Sequence, residues 1–378
     1  MAEGLMVLDG TVRSRGPEET WALLEPWLGR CGISRVADLT GLDSLGVPVW
    51  TAIRPAALTL TASQGKGATP RLAAISAVME SIELWHAEQP LPVDQVAPAR
   101  ALDLPYPLLS LPVREPHPGL VDVPLEWTTG LGLVSGRRVP VPVGLVQRFL
   151  PTMWRPAVFR ATSTGLACGN SPEEAVLHGL YEVVERHALH LDEQRGGELR
   201  TVIDPDTVDS PYAADLIRRV REAGAVLELS VVSNPYGLPV CLAYLWSEDY
   251  PVWFAGSGCH HDPHIALTRA ITEAAQSRLT CIAGTRDDLP SGEEAFATGQ
   301  TGQPQVREVP GVAWQEQFAG GTVGGALRGR AEGAVRLVEA VTGYEPIVVT
   351  LSERGEPFTA VKVIAPGATS RTRRAIPR

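Results

Sequence analysis

Three stretches of this sequence place oxygen-bearing side chains three residues apart: Glu80 and Glu83, Glu182 and Glu185, and Glu273 with Gln276. Residues at that spacing share one surface of an α-helix. Each pair flanks an apolar stripe. The first stripe is Ile75, Val78, Met79, Ile82 and Trp85; the second is Ala175, Leu177, Leu180, Tyr181, Val184 and Ala188; the third is Leu267, Ala270, Ile271 and Ala274. Acids displayed this way suit a hard cation such as Mg²⁺, which takes oxygen ligands, keeps some water and usually accompanies phosphate. Arg186 and His178 stand beside the second pair, and Arg269 lies one turn ahead of Glu273. A phosphate partner is visible in Ser63-Gln64-Gly65-Lys66-Gly67, just ahead of the first helix. Glycines let a backbone approach an anion, and Lys66 supplies a point charge. A second small-residue turn, Ser163-Thr164-Gly165, precedes the second helix. Neither is a Walker A loop, because G-x-x-x-x-G-K-[ST] is absent. Spacing alone leaves two readings open, three solvated helix faces or one Mg–nucleotide site.

The elements that must position these residues are three strong helices, over about 70–88, 171–190 and 263–282. Ser171-Pro172-Glu173-Glu174 is a compact start for the second, with an N-cap, a proline at N1 and acids in the first turn. Around them, Pro17-Glu18-Glu19-Thr20 opens an earlier helix whose apolar face holds Trp21, Leu23, Leu24, Trp27 and Leu28. Strands are expected at 33–39, 47–53, 138–149, 157–163, 226–233, 238–246, 345–351 and 357–364, with further helices at 211–223 and 327–341. Residues 89–125 read as a Pro-rich surface connection with edge strands. Residues 285–325 are polar, Gly-rich and without periodicity, so a lid or mobile insertion is expected there. Strands and helices mix without strict βαβ alternation, which favours an α+β fold.

The composition narrows the function. The chain has 378 residues and a net charge of −10. That balance argues against nucleic acid, which rewards phosphate-neutralising Lys and Arg. No apolar run nears the roughly 20 residues that span a bilayer, and the N-terminus has no secretory h-region. Five cysteines, at 31, 168, 241, 259 and 281, include no C-x-x-C pair, so small core residues in a reduced, cytoplasmic setting are expected. Cys168 lies nearest the proposed site. His260, His261, Asp262 and His264 read as a loop and N-cap ahead of the third helix, and His187 and His190 as surface residues near a helix C-terminus. The 320–325 GGTVGG run reads as a flexible loop, and the Arg-rich end, 371–378, as a solvated tail. With 37 glycines and 32 prolines, the chain is unusually punctuated and could be taken for a loose, loop-rich one.

Longer motifs go beyond spacing. SQGKGATPRLAAISAVMESIELWHAE (63–88), STGLACGNSPEEAVLHGLYEVVERHAL (163–189) and GSGCHHDPHIALTRAITEAAQSRLTCIAGTRDDL (256–289) resemble the three ordered signatures of the YcaO family. ISRVADLTGLDSLGVPVWTAIRP (33–55) is similar to that family's opening strands, and the likeness runs from about residue 20 to Pro366. The resemblance implies an ATP- and Mg²⁺-dependent enzyme that phosphorylates a backbone amide oxygen of a ribosomally made precursor peptide. A nucleophile then attacks the activated carbon and yields an azoline, a macrocyclic amidine or, with sulfide and a TfuA-type partner, a thioamide. A non-catalytic nucleotide- or peptide-binding protein is the alternative.

Carried over by position, the resemblance implies that Glu80, Glu83, Glu182 and Glu185 hold Mg²⁺, with Glu182, Glu185 and Arg186 at the reacting centre. It implies Lys66, Arg186 and Arg278 on the phosphates, and Ser63, Ser76, Glu273, Gln276 and Arg286 around the nucleotide. The helical wheel, however, sets Arg278 on the apolar side, so either the helix ends earlier or Arg269 takes that role. His178 stands where the family's second motif often has a small hydroxyl residue. The chain lacks a proline-rich end and zinc-binding cysteines, so it is similar to the stand-alone members, including bottromycin-type and TfuA-associated ones. The family resemblance also implies a homodimer. The expected organisation is an N-terminal segment (1–20), one domain (21–366, with the lid at 285–325) and a basic tail (367–378).

Overall fold

The computed structural model describes residues 5–148, 157–285, 310–318 and 326–371. The expected lid at 285–325 and the tail at 367–378 therefore fall largely outside the described residues, as does the 320–325 run.

The chain begins with a hairpin, β1 (Met6–Leu8) and β2 (Thr11–Arg13), followed by α1 (Pro17–Leu24). Next comes an antiparallel sheet of β3 (Arg35–Asp38), β4 (Val49–Ile53) and β5 (Ala62–Lys66), crossed by α2 (Pro70–Glu88). Then β6 (Gln95–Pro98), β7 (Pro124–Gly132), β8 (Arg138–Pro142), one helical turn α3 (Val143–Val146) and β9 (Leu166–Gly169) lead into α4 (Pro172–Gln194). A four-stranded meander follows: β10 (Arg200–Ile203), α5 (Pro211–Glu222), β11 (Val226–Val232), β12 (Val240–Ser247) and β13 (Tyr250–Cys259), backed by α6 (Pro263–Ala283). After α7 (Trp314–Gln317) and α8 (Leu327–Thr342), β14 (Ile347–Thr350) and β15 (Thr359–Ile364) return to the middle sheet. Its order is β6-β7-β14-β15-β9, with β8 also on β7. All the pairings between these strands are antiparallel, the arrangement of an α+β fold rather than a doubly wound one.

The three strong helices start alike. Thr69, Ser171 and Asp262 each accept a backbone N–H of the first turn, at 3.2, 3.2 and 2.9 Å, and each is followed by proline at N1. Proline fits there because that N–H has no intrahelical partner. The helices also share a way of lying on their sheets. A Cβ on Gly65 would run into the backbone N of Ala77 and O of Ala73 in α2, and one on Gly256 into Ala270 O and Ala274 N in α6. Only glycine permits so close an approach of strand to helix. The packing that results is tight: the interior clusters beneath α4 and α6 contain residues such as Ala175, Val184, Ala270 and Ala274 with no exposed surface. The punctuated composition thus serves a close-packed molecule.

Several expected elements differ. The turn expected at 63–67 is mostly strand, Ala62–Lys66, because burial between sheet neighbours outweighs its Gly/Ser character, whereas Ser163-Thr164-Gly165 does form a turn, ahead of the short strand Leu166–Gly169. The strand expected over 157–163 is reduced to one bridge, Phe159 to Val113, and the one over 138–149 stops at Pro142. The Pro- and Gly-containing strands β7 and β13 had no alternating pattern to give them away. His187 is buried, with Nδ1 2.5 Å from Tyr236 Oη, and His190 is half-buried, so neither is the surface residue expected near the helix end. Among the described residues no helix is long and apolar enough to cross a membrane.

Candidate active site

Three helices deliver the acids, and Glu83, Glu182, Glu185 and Glu273 are each held by a neighbour that fixes its direction. Glu83, on α2, accepts the backbone N–H of Cys168 at 2.8 Å, so β9 orients it. Glu182, on α4, accepts the Gly165 N–H at 3.1 Å through Oε2 and Arg186 Nε at 2.8 Å through Oε1. Glu185 accepts Ser257 Oγ–H from β13 at 2.6 Å. Glu273, on α6, takes Lys66 Nζ of β5 at 2.7 Å. The turn that serves Glu182 exists because Gly165 sits at φ +77°, where a side chain would also strike the Val363 carbonyl.

The electrostatics join these contacts into one cluster. Burial, then Glu80 and Glu182, push the Glu83 carboxyl well above the usual range. Burial and the nearby Glu273 raise Glu185 to about 7. Burial alone would raise Glu273 as well, but Lys66, Arg186 and Arg269 pull it below the usual range. Arg186, still 47 % exposed, is held charged by Glu182 first and by Glu185 and Glu273. Burial followed by Arg269, Arg13 and Lys66 keeps His178 neutral. Crowded carboxylates with raised pKa values and interleaved cations are a candidate functional constellation.

The expected residues divide as follows. Glu80, Glu83, Glu182, Glu185, Arg186, Glu273 and Lys66 are brought together. Gln276 adjoins them, donating from Nε2 to the Gln64 carbonyl at 3.0 Å. Ser63 is buried in β5, and its Oγ has no hydrogen-bond partner among the described residues. Ser76 lies on α2 where that helix meets Gly65. Arg278 is placed elsewhere. Its guanidinium, 3 % exposed, is taken by Asp43 at 3.0 Å, Ser247 at 2.6 Å and Asp249 at 3.1 Å. Those partners lie on the loop after β3 and at the β12–β13 turn, as the apolar position on the helical wheel implied, and Arg269 is the α6 arginine whose charge reaches the cluster. Arg286 lies outside the described residues.

Sequence reasoning missed two contributors. Lys362, on β15 and only 4 % exposed, donates to the Thr162 and Thr164 carbonyls at 2.6 and 2.8 Å and so braces the turn that holds Glu182. Burial lowers its ammonium to about 7, against the pull of Glu182. A lone lysine inside the apolar run TAVKVI was the available signal. Ser257 had none, because β13 itself was not recognised. His260 and Asp262 do form the N-terminal loop of α6, where Asp262 N donates to His260 Nδ1 at 2.9 Å.

These residues suit Mg²⁺ with a triphosphate. Repulsion between buried carboxylates is relieved by a cation set among them, and Lys66, Arg186 and Arg269 offer charge to phosphate oxygens. Among the described residues no three His, Cys, Asp or Glu side chains converge as a ready-made metal cage. Mg²⁺ shared with phosphates needs only one or two carboxylates per ion.

Comparison with known proteins agrees with this chemistry. A family model described as YcaO cyclodehydratase, ATP- and Mg²⁺-binding, matches residues 64–369. An uncharacterised protein of Mycobacterium tuberculosis is 39% identical over 369 residues, covering 95% of this chain and 82% of that protein. An uncharacterised protein in the tfuA 3′ region of Rhizobium leguminosarum bv. trifolii is 35% identical over 388 residues, covering 94% and 88%. Among solved structures, YcaO from Methanopyrus kandleri bound with AMPPCP and Mg²⁺ superimposes with a TM-score of 0.76 at 22% identity, over 99% of each chain. A heterocyclase in complex with substrate and cofactor gives 0.75 at 21% identity, covering 98% of this chain and 55% of the heterocyclase. These last two likenesses concern the fold.

Proposed function

The chain belongs to the YcaO family, an ATP- and Mg²⁺-binding family, and from that premise we propose that it activates a backbone amide of a ribosomally made precursor peptide. The observation that carries this reading is the convergence of five glutamates from α2, α4 and α6 with Lys66, Arg186 and Arg269 between them. Bound Mg·ATP would supply the phosphoryl group that turns the poorly leaving amide oxygen into a good leaving group. The protein's own task is positioning and charge neutralisation. Glu80, Glu83, Glu182 and Glu185 hold the metal. Lys66, Arg186 and Arg269 face the phosphates, and Ser63, Ser76, Glu273, Gln276 and Arg286 surround the nucleotide. Glu182, fixed by Gly165 and Arg186, and Glu185, fixed by Ser257, stand at the reacting centre. Burial and Glu273 raise the Glu185 carboxyl to about 7, so a cation set against it would favour its charged, ligating form.

Ring closure to an azoline or an amidine is the product class we favour. The relative in the tfuA 3′ region supports a second reading, thioamide formation with a TfuA-type partner. Five free cysteines fit work in a reducing cytosol, and a homodimer is proposed from the family resemblance. The test incubates the purified protein with Mg·ATP and candidate precursor peptides, following phosphate release and peptide mass. Loss of one water means ring closure, and exchange of one oxygen for sulfur means a thioamide. Absence of ATP turnover with every peptide, and Glu80→Ala and Glu185→Ala behaving as the parent, would leave only a nucleotide- or peptide-binding role.

A further inference from the structure

A cavity of about 420 Å³ opens at the C-terminal end of α2, lined by Arg30, Arg54, Arg148, Trp85, Glu88 and Leu58 among others. Three arginines face one carboxylate there, and one oxygen of that carboxylate already has three donors. Glu88 Oε1 accepts Arg54 Nη2 at 2.7 Å, Thr59 N at 3.0 Å and Thr59 Oγ at 2.5 Å. Arg54 is nine-tenths buried and more, at 3 % side-chain exposure, yet its Nε has no hydrogen-bond partner among the described residues. A buried guanidinium donor left unmatched is costly, and such a group points to a ligand. Among the described residues Arg148 has no ion-pair partner, and its backbone N is fixed to Ala87 O at 2.8 Å. Arg30 lies at the outer rim, 3.7 Å from Glu353 and stacked over Trp27.

We propose that this cavity is a carboxylate-binding subsite, formed by Arg54 and Arg148, that anchors an acidic group of the peptide substrate. Guanidinium forks match a carboxylate's two oxygens, and Trp85 with Leu58 supplies apolar wall for the neighbouring peptide residues. Its assignment to a peptide rests on the amide-activating reading above, whereas the carboxylate chemistry rests on the cavity alone. The cavity and the glutamate cluster lie on the same helix. Glu88 is five residues beyond Glu83 on the same helix, about 7.5 Å along the axis and roughly 140° around it. A separation on the order of 10–15 Å is spanned by about three to five extended residues. Arg148 also bridges the two regions electrostatically, since it feels Glu88 on one side and helps depress Lys362, the neighbour of Glu182, on the other.

The test uses the full chain with Mg·AMPPCP and three fluorescein-labelled decapeptides on one apolar scaffold. One carries two glutamates and an amidated end, one has glutamines in their place, and one has glutamines with a free C-terminal carboxylate. Fluorescence anisotropy should show a carboxylate-bearing peptide binding about tenfold or more tighter than the amidated glutamine peptide. Preference for the glutamate peptide identifies an acidic side chain, and preference for the free end identifies a chain terminus. Arg148→Gln should abolish the preference, and Arg54→Lys, which keeps the charge but loses the fork, should weaken it. Equal binding of all three peptides, no binding of any, or a preference that survives Arg148→Gln overturns the subsite. Mg·ATP affinity and turnover are measured on the same proteins in separate samples without AMPPCP. Absence of both in the parent protein would sink the amide-activating reading while leaving an Arg148-dependent carboxylate site standing.

Discussion

Lys66 Nζ lies 2.7 Å from Glu273 Oε2, joining the third strand of the first sheet to a helix more than 200 residues later. The pair closes one side of the glutamate cluster and keeps Glu273 charged where burial would otherwise protonate it. The two side chains are 17 % and 37 % exposed, so solvent screens the pair and its contribution to stability is small, about 0.5–1 kcal/mol. Lys66→Met should therefore change the melting temperature little while weakening Mg·ATP about tenfold or more, as read by calorimetric titration. A large loss of stability with unchanged nucleotide affinity would make Lys66 purely structural.

The pH dependence of the cluster follows from Glu185. Its folded pKa, about 7, lies above its usual value of 4.5, so the folded state holds the extra proton between those limits. Stability from this group is therefore fully present below about 4.5 and is lost as pH rises through about 7. Glu185→Gln, which carries no charge at any pH, should gain on the parent across that window and then hold a constant lead, a rise of roughly 1–3 °C in melting temperature. Added Mg²⁺ and nucleotide should erase the difference by stabilising the parent more. Melting curves of both proteins from pH 5 to pH 8.5, with and without Mg·AMPPCP, check this; a lead that shrinks with rising pH contradicts it.

Arg278 and Arg269 are separated by one experiment. Arg278 serves Asp43, itself 3 % exposed, so Arg278→Met strands a buried carboxylate and should cost about 3–5 kcal/mol. Any protein that folds should bind Mg·ATP as the parent does. Arg269→Met should do the reverse, with a small stability change and a weakened nucleotide. Denaturant unfolding paired with nucleotide titration reads both, and weakened binding by folded Arg278→Met would return that residue to the phosphates.

Gly65→Ala tests the contact between β5 and α2. The new methyl meets helix backbone, which has no rotamer to give, so the sheet and helix must part. A loss of about 3 kcal/mol or more is expected, at the upper end for single substitutions. Because the same move displaces Lys66, nucleotide binding should fall with it. A soluble, fully stable Gly65→Ala protein with normal binding would mean the interface yields easily.

The residues proposed to carry the chemistry and the helices that carry them were legible in one dimension. Glu80 with Glu83 and Glu182 with Glu185 follow from a period of 3.6, and capping pairs such as Ser171-Pro172 mark where their helices begin. Local physics decides those features, because a helix closes its hydrogen bonds within one segment. The strands were read less well. β5, β9 and β13 contain glycine, serine and proline at positions where a helix or another strand presses against them, and that pressure is exerted by distant parts of the chain. Which cation meets which acid was likewise settled only by the tertiary structure. Arg269 and Arg278 sit nine residues apart on one helix with equal claims by residue type, and packing turns one toward the glutamates and the other toward Asp43. Lys362 acquired its place on Thr162 and Thr164 only when β15 paired with β9, since a charge can be buried only where the fold supplies its partners.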